Sequence, residues 1–130
     1  MASVIFHVCP WEAWRAARAE GVYRGGPLDR RDGFIHFSTP GTLAGTLATH
    51  LAGQPGLCLL EVAADALGDA LVWEESRDRT LFPHLYAALD PAVVRSVHDL
   101  PLDAAGRHVL PAHARPGTAD PGAARPDGAG

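Results

Sequence analysis

The fold class this sequence predicts is α+β: a single domain built on one curved, mixed or antiparallel sheet, with two helices near the N-terminus. Three observations lead there. The chain has 130 residues, 47% of them hydrophobic and 20% charged, which suits one soluble core and not two. Strand-like and helix-like segments alternate as β-α-β-α-β and then give way to β segments alone. No apolar run approaches the roughly 18 residues that a membrane span requires.

The elements follow in order. Ser3 to Cys9, SVIFHVC, is β-rich and stops at Pro10, as a first strand should. In PWEAWRAARAEGV, Trp11, Trp14, and Ala17 or Arg18 recur at helical spacing, with Pro10 at the start and Gly21 after the last turn; this is a short amphipathic helix. YRGGPLDRRDG is rich in Gly, Pro and Asp and reads as a loop, leading into a second strand, FIHFS. Thr39 or Thr42 can cap a helix running to about Ala52, in which Leu43, Leu47 and Leu51 repeat every fourth residue. GQPG breaks it.

LCLLEVA is apolar without alternation, so it is expected to be a central strand covered on both faces. ALVWEES follows as a strand after a turn at LGDA, then a short FPHLY element, then the strand AVVRSVHDL. In that last strand Val94, Ser96 and His98 define one face, and Val93, Arg95 and Val97 the other. GRHVLP is expected as one more edge strand. From Ala112 onward the sequence is almost wholly Ala, Gly, Pro and charged or small polar residues. Such a composition cannot bury enough apolar surface to offset ordering entropy. The expected division is a folded domain over 1–111 and a disordered tail over 112–130.

A net charge of −4 without a basic cluster argues against duplex nucleic acid as a partner, because that binding depends on neutralising several phosphates. All eleven basic residues are arginine, a compositional preference more than a functional one. The N-terminus MASVIFHVCP lacks a basic region followed by a long apolar stretch, which reads as no signal peptide and a cytoplasmic protein. Cys9 and Cys58 lie in apolar segments without CxxC spacing and are expected as two buried thiols. Oligomeric state leaves no trace in the sequence.

Among seven histidines, three stand where apolar residues would be expected: His7 in SVIFHVC, His36 in FIHFST and His84 in FPHLY. His36 and Ser38 share a strand face, as do His7 and Cys9, so neighbouring strands would merge them into one polar patch. A second constellation, LVWEESRDRTLFPHLY, gathers Glu74, Arg77, His84 and Tyr86 between bulky apolar residues. Glu74 adjoins the aromatic Trp73, Arg77 suits bidentate phosphate binding, and Tyr86 offers a ring for stacking. Glu75, Asp78 and Arg79 read as a solvated loop. There is no GxSxG elbow, phosphate-binding GxxxxGK loop or GxGxxG fingerprint. No HxH, HExxH or HxxxH spacing assigns a metal, and a site built from His7, His36 and His84 stands only as an alternative.

FHVCPWEAW, DGFIHFST, ALVWEESRD, LFPHLY and GRHVLP, in that order, resemble the small bacterial family known as domain of unknown function 952, over about residues 3 to 111. That family is itself similar to the ADP-ribosyltransferase fold. The resemblance implies an NAD-binding cleft lined by a first-strand histidine (His7), a second strand (His36, Ser38, Thr39) and a later acidic residue (Glu74). It implies NAD as substrate, with the nicotinamide–ribose bond broken. Glu74, His36 and His7 would then be catalytic, and His7, His36, Ser38, Arg77, His84 and Tyr86 would bind NAD. Two other readings stay open: a non-catalytic module for a nucleotide or other small molecule, and a histidine-based metal-dependent hydrolase or isomerase.

Overall fold

In the computed structural model, residues 3–76 and 78–114 are described. Their order is β1 (Val4–Pro10), α1 (Trp11–Glu20), α2 (Pro27–Asp32), β2 (Ile35–His36), α3 (Leu43–His50), β3 (Leu57–Ala63), β4 (Leu71–Glu75), β5 (Leu81–Leu85) and β6 (Val94–Asp99). Short 3-10 turns lie at Ala64–Ala70, Pro91–Val93 and Ala112–Ala114. The α+β class and the antiparallel pairing are as the sequence predicts. Among the described residues no helix is long and apolar enough to cross a membrane.

The single curved sheet is replaced by two three-stranded antiparallel sheets, β1-β3-β6 and β2-β5-β4. They meet where Phe6 and Ser38 exchange backbone hydrogen bonds of 2.8 and 2.7 Å. β3 is central in its sheet, and every residue from Leu57 to Val62 is buried. Alternation along β1 and β3 sends Ile5, Leu60 and Val62 into a core shared with Trp14, Tyr23, Phe37 and Leu85. Phe6, Leu57 and Leu59 go to the opposite face, against Leu43, Leu47 and Leu100. Each fully buried Leu or Phe contributes about 1.5–3 kcal/mol.

Several expectations need correction. Three helices, not two, precede β3: PLDRRD, read as a loop, forms α2, with Pro27 opening it and Asp29 in its first turn. GRHVLP, residues 106–111, expected as an edge strand, makes only an isolated bridge, between His108 and Leu102. α3 ends at His50, and neither threonine caps it by a side-chain bond. Thr39 and Thr42 bind each other instead, Thr39 N–H to Thr42 Oγ1 at 2.9 Å and Thr42 N–H to Thr39 Oγ1 at 3.2 Å, and so fix the turn before it. In β6 a bulge skips Arg95, since Glu61 pairs with Ser96 and Val62 with Val94. Val94 therefore packs on the same core as Val97, against the strict alternation expected.

The two cysteines, distant in sequence, are directly opposed on β1 and β3, with sulfurs 3.8 Å apart, both free and buried. Ala112–Ala114, the first residues of the expected tail, form a turn whose Ala114 is buried; residues 115–130 lie outside the described residues. Gly25 and Gly33 flank α2 with φ of 89° and 87°. At Gly25 a Cβ would also sit 2.6 Å from that of Asp29. Gly33→Ala, with open space around it, is expected to cost about 1–2 kcal/mol in urea denaturation from the left-handed backbone alone, and Gly25→Ala more.

Candidate functional site

The outer face of the second sheet collects the polar groups. β2 pairs His36 with His84 of β5, and β4 runs along the other side of β5 as an edge strand. His36 and His84 lie 5.5 Å apart edge to face, and Phe34 stacks on His84 at 4.0 Å. Phe34 also meets His36 at 4.6 Å and Tyr86 at 5.1 Å. Glu74 Oε1 accepts from both His84 Nδ1 and Tyr86 O–H, each at 2.7 Å. Those two donors hold the Glu74 carboxyl below its usual range, and the same bond pushes the Tyr86 phenol up.

The Glu74 bond puts the His84 proton on Nδ1 and leaves Nε2 as the nitrogen without a partner among the described residues. Glu74 Oε2 is likewise without a partner there.

Asp29 is the hub behind this face. It is buried, yet its carboxylate accepts from Gly26 N–H at 2.7 Å, His36 N–H at 3.0 Å and His36 Nδ1 at 2.6 Å. The α2 residues explain the placement: Pro27 has no N–H to lose in a first turn, and Asp29 reaches back to the residue that precedes the helix. His36 Nε2 meets Asp32 Oδ2 at 3.0 Å, so both ring nitrogens face carboxylates and both must donate. His36 is thereby held as an imidazolium.

His7 and Ser38 take other positions. The Phe6–Ser38 bridge puts His7 on the face of Phe37, 5.5 Å away, and not on that of His36. His7 is 5% exposed; Nδ1 donates to the His36 carbonyl at 2.7 Å, and Nε2 accepts from Tyr23 O–H at 2.6 Å. Ser38 is buried and donates to Thr46 Oγ1 at 3.4 Å. The expected common patch of His7, Cys9, His36 and Ser38 is thus divided: His36 joins Glu74, His84 and Tyr86 of the second constellation, while His7, Cys9 and Ser38 sit inside the fold. The alternative three-histidine metal set does not converge, because His7 and His36 have both nitrogens engaged. Arg77 lies outside the described residues.

Burial lowers the His7 pKa despite attraction from Asp29. The hydrogen bond to Asp29 raises that of His36 against burial. For Asp29, burial acts upward, but the His36 bond, His7 and two backbone donors together leave its pKa below the usual range. A raised His36 stabilises the fold fully below its ordinary value of 6.5, and that contribution is lost as pH rises through the folded value. A depressed Asp29 contributes above its ordinary 3.8, and the contribution is lost as pH falls through the folded value. His7 has the opposite sign to His36: its lowered value makes folding less favourable as pH falls below 6.5. Histidine NMR titration is expected to show His36 titrating above 6.5 and His7 below it; the reverse order would contradict the assigned network.

Next to this cluster a cavity of about 320 Å³ opens between α2 and the segment after β5. Phe34 and Tyr86 line it and also belong to the cluster, and Arg24, Asp29 and Arg30 border it. None of Phe34, Asp29 and Asp32 was singled out from the sequence. The signal for Asp29 was Pro27-x-Asp29 followed by Gly33, a helix opening and closing within seven residues. Fold and site together define an α+β domain that presents a histidine–carboxylate cluster with two aromatic rings beside an arginine-flanked cavity.

The sequence model described as protein of unknown function (DUF952) matches residues 8–97, and the chain belongs to that family. The crystal structure of CC0527 from Caulobacter crescentus is similar to it at a TM-score of 0.80 and 41% identity, over 83% of this chain and 95% of that one. The solution NMR structure of CC0527 matches at a TM-score of 0.73 and 41% identity, over 80% and 90% of the two chains. No curated protein matches.

Proposed function

We propose that the face carrying Phe34, His36, Glu74, His84 and Tyr86 binds a nucleotide-like small molecule, and that its chemistry is of the ADP-ribosyltransferase kind, with NAD as substrate. The observation that carries this reading is Glu74. Its carboxylate is fixed by His84 and Tyr86, with one oxygen uncommitted, beside a cavity bordered by Arg24 and Arg30. Breaking the nicotinamide–ribose bond sends the bonding pair out with nicotinamide and leaves cationic character on the ribose, which a nucleophile then takes up. A fixed anion opposite that carbon stabilises it most when no reorganisation is needed. Phe34 and Tyr86 supply flat surfaces for a ring, and the two arginines suit a pyrophosphate.

In this reading Glu74 is the catalytic residue, and His84 both orients it and offers Nε2 to a ribose hydroxyl. His36, held as an imidazolium, adds positive charge at the ligand's edge. His7 and Ser38, enclosed by the fold, act as positioning residues behind β2. A second reading, a binding module without turnover, is favoured by the double engagement of the His36 nitrogens, which leaves His36 no nitrogen for proton transfer. Calorimetry with NAD, followed by assay for released nicotinamide, separates the two. Binding with release is expected; binding without release supports the module; no binding sinks the transferase reading and removes NAD as the module's ligand.

A further inference from the structure

On the far side of β3 from the cavity, the structure holds a second polar cluster. Glu61 interrupts the apolar run LCLLEVA and is buried on the face of the first sheet shared with Phe6, Leu59 and α3. Its Oε1 lies 2.6 Å from His113 Nε2 and 3.4 Å from His98 Nε2. The bulge at Arg95 turns that residue to the same carboxylate, Nε to Oε2 at 3.3 Å. Ser96 Oγ lies 3.0 Å from His98 Nε2. His98 comes from β6 and His113 from the turn at Ala112–Ala114, so three separate parts of the chain converge.

We infer that Glu61, His98 and His113 form a binding site for a divalent transition-metal ion of the zinc type. Their ligand atoms all lie within 4.8 Å of one another, and among the described residues this is the one group of His, Cys, Asp or Glu so arranged. Two imidazoles and one carboxylate are a donor set that zinc accepts and that magnesium or calcium, which prefer all-oxygen surroundings, does not. A tetrahedral ion with bonds of about 2.0–2.1 Å sets its ligands about 3.3 Å apart. The His98–Glu61 separation already meets that, and His113 has to withdraw by only a fraction of an ångström.

Arg95 sits on the other carboxylate oxygen, orienting Glu61 so that Oε1 faces both rings. The His113 side chain is half exposed, with a relative accessibility of 50%, so an ion can enter and its fourth position stays open to water or a ligand. Bound metal would tie the Ala112–Ala114 turn to β3 and β6.

The test is titration of the full-length, tag-free protein with Zn²⁺ by calorimetry and with Co²⁺ by visible absorption. The expected result is one ion per chain, with the intense visible bands of low-coordinate Co²⁺. His98→Ala and His113→Ala are each expected to weaken binding at least about tenfold. His113→Gln keeps a donor to Glu61 and should hold the turn in place yet still lose the ion, which separates ligation from docking. His84→Ala, in the other site, should change nothing here. No uptake, uptake that survives the His98→Ala/His113→Ala double substitution, or uptake abolished by His84→Ala would each overturn the assignment. None of these outcomes bears on NAD binding at the other face.

Discussion

Asp29→Ala is expected to destabilise the protein by about 3–5 kcal/mol, the scale for removing one partner of a buried ion pair. Two losses combine. The backbone N–H groups of Gly26, whose bond is the reach-back of the first turn of α2, and of His36 lose their acceptor, and an unmet buried donor costs about 1–3 kcal/mol. The His36 imidazolium keeps only Asp32, which is more exposed than Asp29. Asp29→Asn should fall between, because the amide oxygen can serve one set of donors while the NH₂ group faces the other. Urea unfolding checks this: the midpoint should drop with little change in slope. A loss below about 1 kcal/mol would show that Asp29 is not the hub assigned to it.

Glu74→Gln is the second large effect, and it falls on function instead of stability. The carboxamide oxygen can still accept from His84 Nδ1 and Tyr86 O–H, so the pocket should keep its shape. What disappears is the negative charge opposite the forming ribose cation. Removal of one preorganised electrostatic group costs about 10²–10³ in turnover, and nicotinamide release should fall by that factor while NAD affinity changes little. If affinity falls and turnover per bound NAD does not, Glu74 is a binding residue only. Unchanged turnover would remove it from the chemistry.

Local patterns made β1, α1 and β3 legible in the sequence. Pro10 and Gly21 bracket a helix whose Trp14 and Ala17 face inward, and LCLLEVA had no polar face to show to water. α2 was hidden because its six residues carry no apolar stripe; its stability comes from Asp29, whose partners lie outside the helix. The two sheets meet at the Phe6–Ser38 bridge, a contact across 31 intervening positions that no local period encodes. That bridge also decides that His7 and His36 face apart, so two histidines with similar surroundings in sequence take different tasks. Glu74, His84 and Tyr86 were readable as a group because one segment carries them at matched parity, on β4, on β5 and just past it, whereas His36 joins them only through the pairing of β2 with β5. Glu61 offered a signal, a carboxylate inside an apolar strand, but His113 is 52 residues away and sits where composition promised no structure.

The most direct test of the proposed site is to titrate NAD into isotope-labelled protein and follow each residue by NMR. Saturable shifts are expected at Phe34, His36, Glu74, His84 and Tyr86, with Arg24 and Arg30 moving in step, and little change at Glu61, His98 and His113. Absence of shifts at saturating NAD, or shifts confined to residues away from β2, β4 and β5, would contradict this site.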